Sequence, residues 1–313
     1  MQALPRFTIL ITTYNRFALL QRSLQSALDQ TYPCEIIVSD DASQDCTQAY
    51  CTSLSRIRYI RNPSNLGHTA TVNSGMKVAS GQWIKILDDD DYLAPNCMEE
   101  MAKAIQQHPQ AVILSCLACP INEHGKVLET MQPLGPGHGY WVQQSDIHYG
   151  MLCDAIQFGQ TSRVAFRKDA ADAAGQWNSE FNDAYDDIAF WVEMGRWGDA
   201  IFLNQPLVYY TQWSGGYSNR ISLAEKLKRN LCIKRRLYDM CSVEQKQRIC
   251  WSNIEASLRL HWLLVALRQH AWQDARQIGL KSLFFPLAWL YWLKLQYQRR
   301  HGVGSQKIPK NIL

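Results

Sequence analysis

Three apolar runs each break off into a cluster of polar side chains. FTILITT (Phe7–Thr13) leads into Tyr14, Asn15 and Arg16. CEIIVSDD (Cys34–Asp41) ends in two carboxylates, and QWIKIL (Gln82–Leu87) ends in four, Asp88 to Asp91. Strands this continuously apolar need cover on both faces, which parallel sheets obtain from crossover helices. The intervening segments have helical periodicity. Leu19, Leu20, Leu24, Ala27 and Leu28 share one face, and Ser43 stands as an N-cap for a helix through Leu54. A third helix is expected from about His68 to Ala79. Arg56–Arg61 reads as a short strand, Pro95 as the opening of a further helix and Ala111–Ala118 as another strand. The pattern predicts an α/β chain with a mainly parallel central sheet flanked by helices.

In such sheets ligands gather at the carboxyl ends of the strands, where this chain concentrates its polar groups. Four adjacent carboxylates repel one another, so they form either a solvated acidic turn or a site for positive charge. There is no G-x-G-x-x-G after the first strand and no G-x-x-x-x-G-K-[ST] motif, so dinucleotide and P-loop cradles are absent. Carboxylates can hold a phosphorylated ligand through a hard cation, Mg²⁺ or Mn²⁺, and Asp41 could accept from a base or a sugar hydroxyl. The reading at this point is a nucleoside diphosphate derivative held by a metal.

The stretches ILITTYNR (9–16), IIVSDDASQD (36–45), NPSNLGHTATVNSGMKVASGQWIKILDDDD (62–91) and YDDIAFWVEM (185–194) resemble, in family order, the family 2 glycosyltransferases of GT-A fold. The resemblance covers roughly the first two-thirds of the chain. It implies a GT-A domain over residues 1–219, with a nucleotide-sugar half to about 118 and an acceptor half from about 119. It also implies that Thr12, Tyr14 and Arg16 line the nucleotide pocket and that Asp41 contacts the base. Gly67 then sits in the Asn-x-Gly turn, and Lys85 and Asp88 flank the nucleotide sugar. Asp90 is assigned to the metal, Asp88 and Asp89 to the ribose and metal-bound waters, and Asp91 to solvent or a helix cap. Asp187 matches the catalytic base, although a helix N-terminal carboxylate would look the same. The implied chemistry is metal-dependent, inverting transfer of one sugar from a UDP-sugar to an acceptor hydroxyl, in cell-envelope or lipid-linked glycan synthesis.

Two departures stand out. Gln212, in YYTQWSGGYS (Tyr209–Ser218), occupies the position of a family histidine that assists the metal or diphosphate. The processive Gln-x-x-Arg-Trp motif has only a poor match at Glu193–Trp197, which points to single-sugar transfer. Two other functions compete: a sugar-nucleotide pyrophosphorylase, whose glycine-rich basic loop is missing, and a non-catalytic nucleotide-sugar-binding scaffold.

Charge divides the chain. Residues 1–219 carry 14 Lys/Arg and 23 Asp/Glu, whereas residues 220–313 carry 18 and 5. The basic, aromatic-rich segment 220–313 is expected to be a helical extension able to meet an anionic membrane from the cytoplasmic side, with no nucleic-acid partner expected. SLFFPLAWLYWL (Ser282–Leu293) is too short to span a bilayer. Ten cysteines with no secretory leader suggest cytoplasmic free thiols, with Cys116 and Cys119 in the core rather than on zinc.

Overall fold

A computed structural model describes residues 4–128, 131–133, 135–178, 185–213, 221–279, 283–301 and 308–313. Its strands are β1 (Phe7–Thr13), β2 (Cys34–Asp40), β3 (Arg58–Arg61), β4 (Trp83–Asp88), β5 (Tyr92–Leu93), β6 (Ala111–Ile121), β7 (Gly139–Val142), β8 (Val164–Arg167), β9 (Asp199–Thr211) and β10 (Asn311–Ile312). The helices are α1 (Phe17–Leu28), α2 (Thr47–Thr52), α3 (His68–Val78), α4 (Cys97–Gln107), α5 (Gln144–Leu152), α6 (Lys168–Ala173), α7 (Asp186–Met194), α8 (Leu223–Met240), α9 (Val243–Gln247), α10 (Trp251–Arg268), α11 (Trp272–Ile278) and α12 (Pro286–His301).

The strands form one sheet in the order β10-β7-β9-β6-β8-β4-β1-β2-β3, with β5 added to β9. β1, β2, β3 and β4 are mutually parallel, as are β6 and β9. β8 lies antiparallel between β4 and β6, so the sheet is mixed. Parallel register aligns Thr12 with Ser39 on one side and with Asp88 on the other. The polar ends of β1, β2 and β4 therefore emerge on one edge, as the sequence pattern predicts. Phe7, Ile9 and Ile11 pack with Leu20 and Leu24 of α1 on one face. On the other, Gly75 of α3 admits the side chain of Leu10, since a Cβ there would lie 2.2 Å from Leu10 Cδ1.

Two local expectations change. Ser43 does not cap α2, which starts at Thr47 after Cys46; its hydroxyl instead donates to Asp40 Oδ1 at 2.5 Å. Pro95 lies before α4 rather than in its first turn, because Asn96 is the cap and Cys97 the first helical residue. All ten cysteines are free, and Cys116 and Cys119 are buried.

The chain divides into two compact units. One comprises residues 1–144, 158–213 and 310–313 and holds the sheet; the other comprises 145–157 and 214–309. The second is helical, as expected of the extension. It differs from a simple 220–313 segment in taking in residues 145–157, in giving up the last four and in starting at 214. Lys234 explains the first difference: its ammonium donates to the Met151 and Leu152 carbonyls and pairs with Asp154 at 2.6 Å. The second follows from β10, which pairs with β7.

Candidate active site

The loop after β1 is tied to the loop after β2. Asn15, at φ 53°, accepts from the Gln44 N–H through its side chain, and its own N–H donates to Ser43 Oγ. Asp40, wholly buried, accepts from Ser43 and from the Tyr59 hydroxyl and lies 3.6 Å from the Arg61 guanidinium. Its neighbour Asp41 holds the next turn. Asp41 Oδ1 accepts from Asn62 Nδ2 and the Leu66 N–H, and Oδ2 from the Gly67 N–H, each at 2.8 Å. Gly67 precedes α3 at φ 88°, a conformation that a side chain would strain. Asp41 was expected to meet a base; two of its acceptor positions already fasten the 65–67 turn and a third takes the Asn62 amide.

The acidic run splits by direction. Asp89 is buried, accepting from Thr13 Oγ1 at 2.8 Å and from Arg16 at 3.1 Å. Burial pushes its carboxyl up to about 7 even with Arg16 pulling it down. Asp91, expected at solvent or on a helix cap, is instead buried and accepts from the Thr211 N–H of β9 at 2.9 Å. Asp88 and Asp90 keep access, with side chains 29% and 16% exposed. Asp90 Oδ2 accepts from Arg16 at 2.9 Å and from Trp213 Nε1 at 3.3 Å, and the Arg16 guanidinium lies 4.9 Å from the Trp213 ring centroid. Burial, followed by the Asp88 charge, raises Asp90.

Lys85 requires correction. Expected beside a bound nucleotide sugar, it has no exposed surface, and its ammonium donates to the Ile86 and Ser162 carbonyls. Its strand position turns it into the interior, where the short helical turn Thr161–Arg163 supplies Ser162. Thr12 is buried at the end of β1, whereas Tyr14 is exposed.

The second acidic pair opens α7, entered through Tyr185 in the left-handed region at φ 69°. Asp187 Oδ1 accepts from the Ile188 N–H. Burial, then the charge of Asp186, pushes the Asp187 carboxyl up to about 7. Asp186 turns to α3, accepting from Thr69 Oγ1 at 3.3 Å and lying 2.8 Å from His68 Nδ1. His68 Nε2 lies 3.7 Å from Asp88 Oδ1, so one imidazole stands between the strand-end carboxylates and the α7 pair. Burial alone would lower the His68 pKa, but Asp186 and then Asp88 hold it well above its ordinary value, which favours the charged imidazolium.

Sequence reasoning passed over His68, Trp213 and Asp186 as members of the cluster. His68 reads locally as an ordinary first-turn residue, and its partners are 20 and 118 positions away. Trp213, next to the expected histidine position at Gln212, is the residue that reaches Asp90. Ser214–Ser218 of that stretch lie outside the described residues.

Among the described residues no group of three or more His, Cys, Asp or Glu is placed to hold a metal ion. Asp88 and Asp90 nevertheless fit a hard cation that draws its remaining ligands from phosphate and water, because both are accessible and their like charges repel. Arg16 is the positive group that meets Asp90 in this arrangement.

A profile of Glycosyl transferase family 2 matches residues 8–174, more than half of the chain. An uncharacterized glycosyltransferase of Haemophilus influenzae is 25% identical over 243 residues, covering 73% of this chain and 74% of the relative. The Campylobacter jejuni GalNAc(5)-diNAcBac-PP-undecaprenol beta-1,3-glucosyltransferase is 32% identical over 120 residues, covering 36% of this chain and 39% of that protein. Among solved structures, Staphylococcus aureus TarS 1–349 in complex with UDP superposes with a TM-score of 0.62 at 16% identity, covering 95% of this chain and 92% of that one. The fold is thus shared with TarS, and on the family match the chain belongs to glycosyl transferase family 2 and is a glycosyltransferase.

Proposed function

We propose that the protein transfers one sugar from a UDP-sugar to a hydroxyl of a lipid-linked or cell-envelope glycan, with inversion at the anomeric carbon and with Mg²⁺ or Mn²⁺ bound. The observation that carries this reading is His68. It lies between Asp88 at the end of β4 and Asp186 at the start of α7, bringing a donor-type carboxylate and the Asp186–Asp187 pair to one place. The relatives support the substrate class: one is named for transfer to an undecaprenol-linked glycan, and TarS was crystallised with UDP.

Within this reading, the 65–67 turn held by Asp41 and the loop of Thr12, Tyr14 and Arg16 frame the nucleoside. Asp90, with Asp88 beside it, would hold the cation, which supplies charge neutralisation at the departing diphosphate. Arg16 provides a second positive group on the same edge. Asp187, raised toward neutrality, takes the proton of the acceptor hydroxyl as that oxygen attacks the anomeric carbon opposite the diphosphate. His68 holds Asp186 by charge and hydrogen bond, which limits the negative charge around the base.

Transfer of radiolabel from a panel of UDP-sugars to a lipid-linked glycan acceptor tests the proposal, with and without chelator. Release of UDP that stops with EDTA and returns with Mn²⁺ is expected. Release of pyrophosphate would indicate a pyrophosphorylase, and donor binding without turnover a scaffold. Asp90→Ala should abolish the heat of Mn²⁺ titration in the presence of UDP. An unchanged heat would remove Asp90 from the cation.

A further inference from the structure

We infer that the outer face of α12, with the turn before it, is a docking surface for an anionic phospholipid bilayer. The inference stands independently of the chemistry assigned to the catalytic cleft. A helix on a protein surface ordinarily turns an apolar stripe inward and a polar face outward. α12 packs on α10 through one side, where Ala288 is wholly buried, and Trp289 Nε1 donates to the Leu283 carbonyl at 2.9 Å. Its other side is apolar as well. Leu287, Leu290 and Leu293 are 55%, 64% and 53% exposed. They fall within an arc of about 120° at roughly 3.6 residues per turn. Phe284 and Phe285 extend the patch just ahead of the helix, Phe284 being 84% exposed. Scattered exposed leucines need no explanation; five large apolar side chains gathered on one short segment mark a surface that something covers.

Charge selects the occupant. The acids of the helical unit are concentrated before residue 275: Glu225, Asp239 and Glu255 pair with Arg229, Arg235 and Arg259 one turn away on their own helices. Asp274 accepts the Ala224 N–H. From 275 to 309, the end of the helical unit, the sequence has six Lys/Arg and no Asp or Glu. A second copy laid symmetrically on this face would bring two acid-free basic segments together, which like-charge repulsion opposes. An anionic lipid surface suits both properties, taking up the leucines and phenylalanines at the acyl boundary and complementing the net positive charge of the segment. No helix among the described residues is long and apolar enough to cross a membrane, so α12 would lie in the interface plane.

The test is co-sedimentation of the full chain with vesicles of phosphatidylcholine alone or with 40 mol% phosphatidylglycerol, at low and high salt. A second arm uses Leu287→Asp/Leu290→Asp, whose side chains are exposed and whose replacement leaves the packed side of α12 intact. The wild-type chain should partition at least tenfold more onto the anionic vesicles, and the double variant should lose that gain. Its thermal midpoint and UDP affinity should remain within error of wild type. Equal sedimentation of both proteins would overturn the inference. So would a concentration-dependent dimer in sedimentation velocity that the variant abolishes without vesicle binding by either protein. If the variant melts early, Phe284→Ser replaces it, since that side chain lies ahead of the helix and almost wholly in solvent.

Discussion

Replacing Asp187 by Asn should remove activity and stabilise the protein in the same step, with a gain that depends on pH. The wild-type carboxyl titrates near 7 in the folded chain, against 3.8 for an ordinary aspartate, because burial and Asp186 both disfavour its charge. A raised folded pKa means that the folded chain keeps a proton which the unfolded chain has already released. Stability is therefore lost as pH rises from about 4 to about 7 and is level above that. At roughly 1.4 kcal/mol per pH unit, the full gap is worth at most about 4 kcal/mol. Partial exposure of the side chain allows water to screen the charge and reduces what can be recovered to about 1–2 kcal/mol. Asn has the shape without the ionisation. Urea unfolding of both proteins should show the variant gaining about 1–2 kcal/mol more at pH 8 than at pH 5. In the transfer assay the wild-type rate should rise about tenfold from pH 6 to pH 8 as the base ionises, and the variant should lose a factor of about 10²–10⁴. A stability difference independent of pH, joined to a flat wild-type pH profile, would refute the assignment of a strained base at this position.

Three further outcomes follow, two from the site and one from the packing at the start of β1. Arg16→Gln removes the partner of buried Asp89 and should destabilise by about 1–3 kcal/mol at pH 8. The effect should be much smaller at pH 5, where Asp89 is already protonated, and equal losses at both pH values in urea titrations would contradict the pairing. Asp41→Ala leaves the Leu66 and Gly67 N–H groups without their acceptor and should cost about 2–4 kcal/mol, with at least a tenfold loss of UDP affinity by calorimetry. Wild-type affinity would detach the turn from donor binding. Gly81→Ala would place a Cβ 2.5 Å from the Thr8 backbone nitrogen, so β1 must move, and a thermal midpoint within 1 °C of wild type would contradict that packing.

Residues whose meaning is local were legible from the chain alone. The apolar runs that become β1, β2 and β4 could be covered on both faces only in a layered sheet, and parallel register then forces their polar ends to one edge. Gly67 was legible for a similar reason, since a turn with a positive φ favours the residue without a Cβ. The interior of the acidic run was not. Four identical side chains carry no indication of which two turn inward; Thr13, Arg16 and Thr211 decide that, and Thr211 lies over a hundred residues away.

Lys85 shows the same limit. A lysine in a strand leading to an acidic edge suggests a ligand contact, but the Ser162 carbonyl, brought by a distant turn, makes an interior position tolerable for its ammonium. His68 is the converse case, unremarkable on its helix until α7 folds Asp186 against it. Local chemistry thus set the sheet and the placement of its polar edge by itself, while the family was carried by a resemblance of ordered motifs. Which carboxylates remain accessible, which are buried and which cation meets each was decided only by tertiary packing, because a charge takes its meaning from the groups that surround it in space.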